Sequence, residues 1–149
     1  MSDIETRAYT SRIPFARHLG FELTKFEGGQ SEIHYTAKPE HLNTFDVTHG
    51  GACMTLLDIA MAAAARSDTP EVGVVTIEMK TSFMHPSVGP LVAKGHLMHR
   101  TTTLAFTEAT IYDEQGRACA HSTGTFKYVR KRLPVGPGSA NEQRPPSTD

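Results

Sequence analysis

The sequence predicts an α+β domain in which one curved antiparallel sheet wraps one buried helix, on two observations. Only Ala52 to Arg66 is a long apolar stretch, rich in alanine and free of Gly and Pro. The four runs after it are strand-like, with no helical signal between them. A chain of 149 residues is long enough to bury one core of this kind and too short for two ordinary domains.

Each element has a local reason. The segment SRIPFARHLG reads as one or two helical turns closed by Gly20, whose missing Cβ suits a helix exit. FELTKFEGGQSEIHYTAK holds two extended runs split by Gly28-Gly29, a dipeptide that reaches the positive φ of a tight hairpin turn. A polar loop, HLNTFDVTHGG, leads into the long helix. The helix carries apolar residues on nearly every face, so it is expected to be enclosed rather than to lie on a surface. VGVVTIEMKTSFM, LVAKGHLMHRTT, TLAFTEATIYD and ACAHSTGTFKYV then read as an antiparallel meander, the last two joined by the turn Asp113-Glu114-Gln115-Gly116. Strict alternation in the first of these puts Val75, Ile77, Met79 and Phe83 toward the helix, and Thr76 with Val74 and Glu78 away from it, so either that strand is irregular there or Thr76 is peripheral. From Leu133 onward Pro, Gly and polar residues dominate, which divides the chain into a domain over 1–132 and a flexible tail over 133–149.

Composition removes several classes of function. Fifteen basic residues face sixteen acidic ones, and Lys127 to Arg132 is the one short basic stretch, so neither nucleic acid nor a membrane is an expected partner. Lys127, Arg130, Lys131 and Arg132 could meet phosphates, although such runs are more often solvated strand ends. The first ten residues hold early acids and no apolar run, and nothing approaches the ~20 apolar residues of a membrane helix, so a cytoplasmic location is expected. Cys53 and Cys119, far apart and outside any C-x-x-C spacing, suit reduced, buried thiols. His85, His96, His99 and His121 match no metal-ligand pattern, and three residues apart in a strand His96 and His99 should point to opposite faces. No metal and no cofactor are expected.

One constellation carries chemistry. Asn43, then His49-Gly50-Gly51, then Asp58 on the following helix resembles the signature of the hotdog-fold thioesterases, closest to their phenylacetate-degradation subgroup. The similarity runs from about Ile13 to Tyr128 and includes PFARHLGFEL, VVTIEMKTSFMHP and TLAF. The resemblance implies a hotdog subunit, a dimer sharing one sheet and commonly paired into a tetramer, and hydrolysis of acyl-CoA in which coenzyme A belongs to the substrate. By position it implies Asp58 as nucleophile or general base, Gly50 as the oxyanion donor, and Asn43, His49 and Thr76 as supporting polar residues. Gly51 and Leu57 are the expected substrate contacts.

The same residues make sense from chemistry alone. A thioester has a good leaving group, so the main needs are a carboxylate that activates water or attacks, and a donor where charge develops on the carbonyl oxygen. Asp58 lies in an apolar segment where an unpaired carboxylate is costly. Gly50 and Gly51 sit where a helix start leaves N–H groups unpaired and a ligand can approach closely. Eight residues of helix separate Gly50 from Asp58, about 12 Å, too far for both to touch one thioester carbon. The expected site therefore lies at a two-fold interface, with Asp58 of one chain facing Asn43, His49 and Gly50 of another. His49 could instead simply hold the loop, and Asn43 could be a turn residue whose side chain mimics backbone. A hydroxyacyl-thioester dehydratase using His49 and Asp58, or a non-catalytic acyl-CoA-binding module, are the alternative functions.

Overall fold

The computed structural model describes Thr10 and residues 12–130; the expected tail, with Lys131 and Arg132, lies outside them. A short helix α1 (Pro14–Leu19) precedes strands β1 (Glu22–Glu27) and β2 (Gln30–Thr36). A 3-10 turn (Pro39–His41) and a loop lead to the long helix α2 (Gly50–Arg66). Strands β3 (Val72–Phe83), β4 (Pro90–Arg100), β5 (Leu104–Tyr112) and β6 (Ala118–Arg130) complete the order. One six-stranded antiparallel sheet, ordered β1-β2-β4-β5-β6-β3, packs its inner face on α2. This is the expected hotdog arrangement.

The local signals act as read. Gly20 takes φ +82° and its N–H closes α1 on the carbonyls of Ala16 and Arg17. Gly28 and Gly29 both take positive φ between Glu27 and its partner Gln30. Helix α2 is buried on most sides, with Cys53, Leu56, Leu57, Ile59 to Met61 and Ala63 to Ala65 all below 9% exposure. Both cysteines are free and buried. No helix among the described residues is long and apolar enough to cross a membrane.

Small residues bring sheet and helix close enough for hydroxyls of the sheet to reach helix carbonyls. Ser31 Oγ donates to the Ala60 carbonyl at 2.6 Å and Tyr128 Oη to that of Ala65 at 2.8 Å. Gly95 lies at the same approach, where an added Cβ would collide with the Ala60 carbonyl and with Ser31 Oγ.

Three expectations change. The last four strands do not form one meander. β4, β5 and β6 do, but β3 pairs with β6 at the far edge. Six residues link β3 to β4, enough to cross the roughly 14 Å that three strand spacings require, so alternation alone could not fix that pairing. Secondly, β3 does not alternate regularly. Its ladder slips between Thr76, opposite Phe126, and Glu78, opposite Thr125, which makes Ile77 an extra residue. Before the bulge, Val72, Val74 and Thr76 turn to the helix; after it, Met79 and Phe83 do. Val75 and Ile77, expected inside, are 49% and 55% exposed. Thirdly, a bulge between Leu97 and His99 in β4 puts His96 and His99 on the same outer face, where His96 meets Glu108 and His99 stacks on Phe106.

Candidate active site

The loop before α2 is built by its own polar groups. Asn43 Oδ1 accepts from the N–H of Phe45 at 2.9 Å and of Val47 at 3.3 Å, and the Asn43 N–H donates to the Val47 carbonyl. This is the turn that an Asn side chain stabilises, and it holds Asp46 at φ +57°. His41, buried and hydrogen-bonded through Nδ1 to Tyr35 Oη at 2.7 Å, accepts the His49 N–H on its carbonyl. The Thr48 N–H is tied to the Ser87 carbonyl in the β3–β4 link. The loop is thus fastened on both sides where it enters the helix.

At that entrance the two glycines part company. His49 caps α2, its Nδ1 accepting the Gly51 N–H at 2.8 Å, so a neutral His49 carries its proton on Nε2. The His49 carbonyl receives the N–H groups of Ala52 and Cys53. The Gly50 N–H finds no acceptor among the described residues. Gly50 borders a cavity of about 410 Å³ together with Asn43, Cys53, Phe83, His85 and Ser87. Burial pushes the Cys53 thiol up, so this cysteine stays protonated and is a poor nucleophile.

Asp58 opens elsewhere. Two helical turns further along α2, it borders a second cavity of about 440 Å³ that shares no residue with the first. Met54 and Thr55 stand beside it on the same helix face, Ile13 and Phe15 come from the segment around α1, and Thr76 and Met79 come from β3. Thr76 Oγ1 donates to Asp58 Oδ1 at 2.7 Å. The bulge at Ile77 lets Thr76 and Met79, three positions apart, reach the same side. Burial pushes the Asp58 carboxyl up from the ordinary carboxylate range, and the Thr76 hydroxyl pulls it part of the way back. Among the described residues no group of three His, Cys, Asp or Glu side chains converges as a metal site.

Sequence reading of the site is thus sorted by the structure. Asp58 and Thr76 are together, and Asn43, His49 and Gly50 are together, in two places on one chain. Gly51 is engaged in the His49 cap, and Leu57 is fully buried in the core and borders neither cavity. Met54, Met79, Phe15 and His85 were not anticipated as site residues. Met54 had a usable signal, because it lies four residues before Asp58 on one helix face; His85 had none.

Known proteins share this fold. The family model described as the thioesterase superfamily matches residues 45–120, from the loop before α2 to the start of β6. A candidate esterase of Saccharolobus solfataricus is 25% identical over 118 residues, covering 78% of this chain and 84% of its own. Another, from Halobacterium salinarum, is 30% identical over 91 residues, 55% of this chain and 60% of its own. Among solved structures, a thioesterase family protein of Silicibacter pomeroyi superposes with a TM-score of 0.78 at 26% identity, covering 85% of this chain and 97% of its own. The PaaI protein from the phenylacetic acid degradation operon of E. coli shares the fold at a TM-score of 0.74 and 20% identity, over 86% and 96% of the two chains. By the family match over half of its length and the shared fold, the chain belongs to the hotdog-fold thioesterase superfamily.

Proposed function

We propose that this protein is an acyl-CoA thioesterase for small aromatic or medium-chain acyl groups, acting in the cytoplasm as a homodimer with shared active sites, paired into a tetramer. The observation that carries the reading is Asp58, a partly buried carboxylate with Thr76 as its hydrogen-bond donor, on the wall of an otherwise apolar cavity. The aromatic preference is supported by the fold likeness to the PaaI protein.

Asp58 Oδ1 is held by Thr76, leaving Oδ2 for the reaction. As general base, Oδ2 takes a proton from water while the water oxygen bonds to the thioester carbon. The carbonyl becomes an oxyanion facing the Gly50 N–H, which has no competing acceptor among the described residues. Collapse breaks the carbon–sulfur bond, and the coenzyme A thiolate recovers the proton from Asp58. In the nucleophilic variant Oδ2 bonds to the carbon first and the carbon–sulfur bond breaks, releasing the coenzyme A thiolate; water then hydrolyses the mixed anhydride, which restores the Asp58 carboxylate and supplies the thiolate's proton. Both variants need the carboxylate ionised and the Gly50 donor near the same carbon.

Gly50 and Asp58 border separate cavities of one chain, about 12 Å apart along α2, so a second copy is needed to bring Gly50 to Asp58. The edge strand β3 supports a self-association surface. Among the described residues it has no neighbour on its outer side, and Val75, Ile77 and Phe83 in it and Met84 just after it are 49–57% exposed. Thiol release from a panel of aryl and medium-chain acyl-CoAs tests the activity. Wild type should turn over, and Asp58→Asn, which keeps the Thr76 acceptor and removes the charge, should lose at least about a hundredfold in kcat. Equal rates for the two, or no release from any substrate, would overturn the reading.

A further inference from the structure

The cavity beside Asp58 says more about the acyl group than its size does. Its walls are Ile13, Phe15, Met54, Ile59 and Met79, with two hydroxyls and one carboxylate as the polar side chains. Neither hydroxyl has its proton to offer. Thr55 Oγ1 donates to the Gly51 carbonyl at 2.8 Å, within the helix, and Thr76 Oγ1 donates to Asp58. The carboxylate itself belongs at the reacting carbon. A substituent at the far end of an acyl group thus meets two thioethers, a phenyl ring and two branched alkyl chains. Phe15 and Met54 are 56% and 37% exposed, apolar surface held open around a carboxylate.

We infer that this cavity takes acyl groups whose distal end is apolar, an unsubstituted aryl ring or a plain alkyl chain, and discriminates against acyl groups ending in a hydroxyl or a carboxylate. The inference rests on the thioesterase reading and deepens it. A ring hydroxyl can donate to the threonine or Asp58 oxygens but finds no side-chain donor for its own oxygen on this chain's wall, and a distal carboxylate adds a second negative charge near Asp58. Methionine side chains adapt to either a ring edge or a methylene chain, so the class is defined by polarity more than by shape. Met54, at the helix position directly before the turn that carries Asp58, is the specificity-determining residue.

The test compares matched pairs on the full-length protein: phenylacetyl-CoA with 4-hydroxyphenylacetyl-CoA, and hexanoyl-CoA with the CoA thioester of a six-carbon dicarboxylic acid. For wild type, kcat/KM should favour the apolar member by about ten- to a hundredfold for the hydroxyl pair, and by more for the carboxylate pair. Met54→Gln keeps the length of the side chain and supplies donor and acceptor, and should narrow the hydroxyl ratio at least about threefold. Met98→Gln, on the outer sheet face, should leave both ratios as in wild type. Ratios near one in wild type overturn the inference while leaving the thioesterase standing, as does a Met54→Gln ratio that does not move. An enzyme that cleaves neither member of either pair overturns the reading beneath it, and the inference with it.

Discussion

Two cavities of similar volume lie on opposite faces of the same sheet, and they treat charge in opposite ways. The outer one, about 380 Å³, is bordered by Glu32, Lys94, His96, Glu108 and His121, and its charges answer one another. Lys94 Nζ lies 3.7 Å from Glu32 and 5.6 Å from the Tyr112 ring centroid, while Glu108 is approached by His96 at 3.4 Å and His121 at 3.8 Å. All of these groups are substantially exposed, so each pair contributes little, about 0–1 kcal/mol. Among the described residues, the inner cavity, about 440 Å³, holds a single carboxylate whose one hydrogen-bond donor is a neutral hydroxyl. Volume does not distinguish the two. What marks the inner one is a charge kept in apolar surroundings with minimal compensation, which stability alone would not favour.

The difference can be broken from the inner side first. Gly50→Pro removes the free N–H while suiting a first helical position, and His49 already has φ −58° and ψ 138°, the backbone a residue before proline prefers. Its thioesterase kcat should fall about 10²- to 10³-fold with the fold retained by circular dichroism. Mixing this variant with Asp58→Asn by unfolding and refolding sharpens the point. Random pairing gives hybrid dimers with one intact site, and about a quarter of wild-type activity should return. No recovery would place the whole site within one chain.

Smaller effects follow from the carboxylate's surroundings. Thr76→Val removes the hydroxyl that donates to Asp58, so the carboxyl is pushed up further. Activity should drop about tenfold, and the acid limb of the kcat/KM profile, where Asp58 gains its proton, should move to higher pH. Asp58 also bears on stability. Its folded-state value is raised, so its contribution is favourable in acid and is lost as pH rises through that value. Asp58→Asn should therefore unfold at a higher temperature than wild type near pH 7, and the gap should close below the ordinary carboxylate value of 3.8. On the outer face, Glu108→Gln should change kcat/KM less than about twofold.

How far the molecule could be read in advance depended on the range of the interaction. The hairpin at Gly28-Gly29, the stop at Gly20 and the Ala-rich helix are written locally, in φ preferences and in side-chain size, and they stand where expected. Asp58 stood out because a carboxylate among Leu and Ala residues is costly anywhere. Thr76 was a candidate that strict alternation turned outward, and only the ladder with β6 decides for an irregular strand by showing the extra residue. The same happened with His96 and His99 across the second bulge. Pairing between β3 and β6 joins residues some 50 apart, for which no local pattern exists. For Asn43 and His49 the sequence left a catalytic and a loop-holding role side by side; in the structure Asn43 builds the turn and His49 caps the helix, and the Gly50 N–H is the group there without an acceptor among the described residues.

Ile77 gives β3 one residue more than the stretch of β6 it pairs with, and that has a consequence for how this gene can change length. Losing Ile77 alone would restore plain alternation, with Thr76 still opposite Phe126 and Glu78 still opposite Thr125. Thr76 would keep Asp58, Met79 its cavity and Phe83 its place beside Gly50. One missing codon there would remove the kink and leave the side chains of the site on their own face. The same loss in the turn after Asp113 would shorten an exposed connection and likewise leave the site untouched. A single surplus residue thus makes this short stretch of an edge strand a place where the chain can shorten by one.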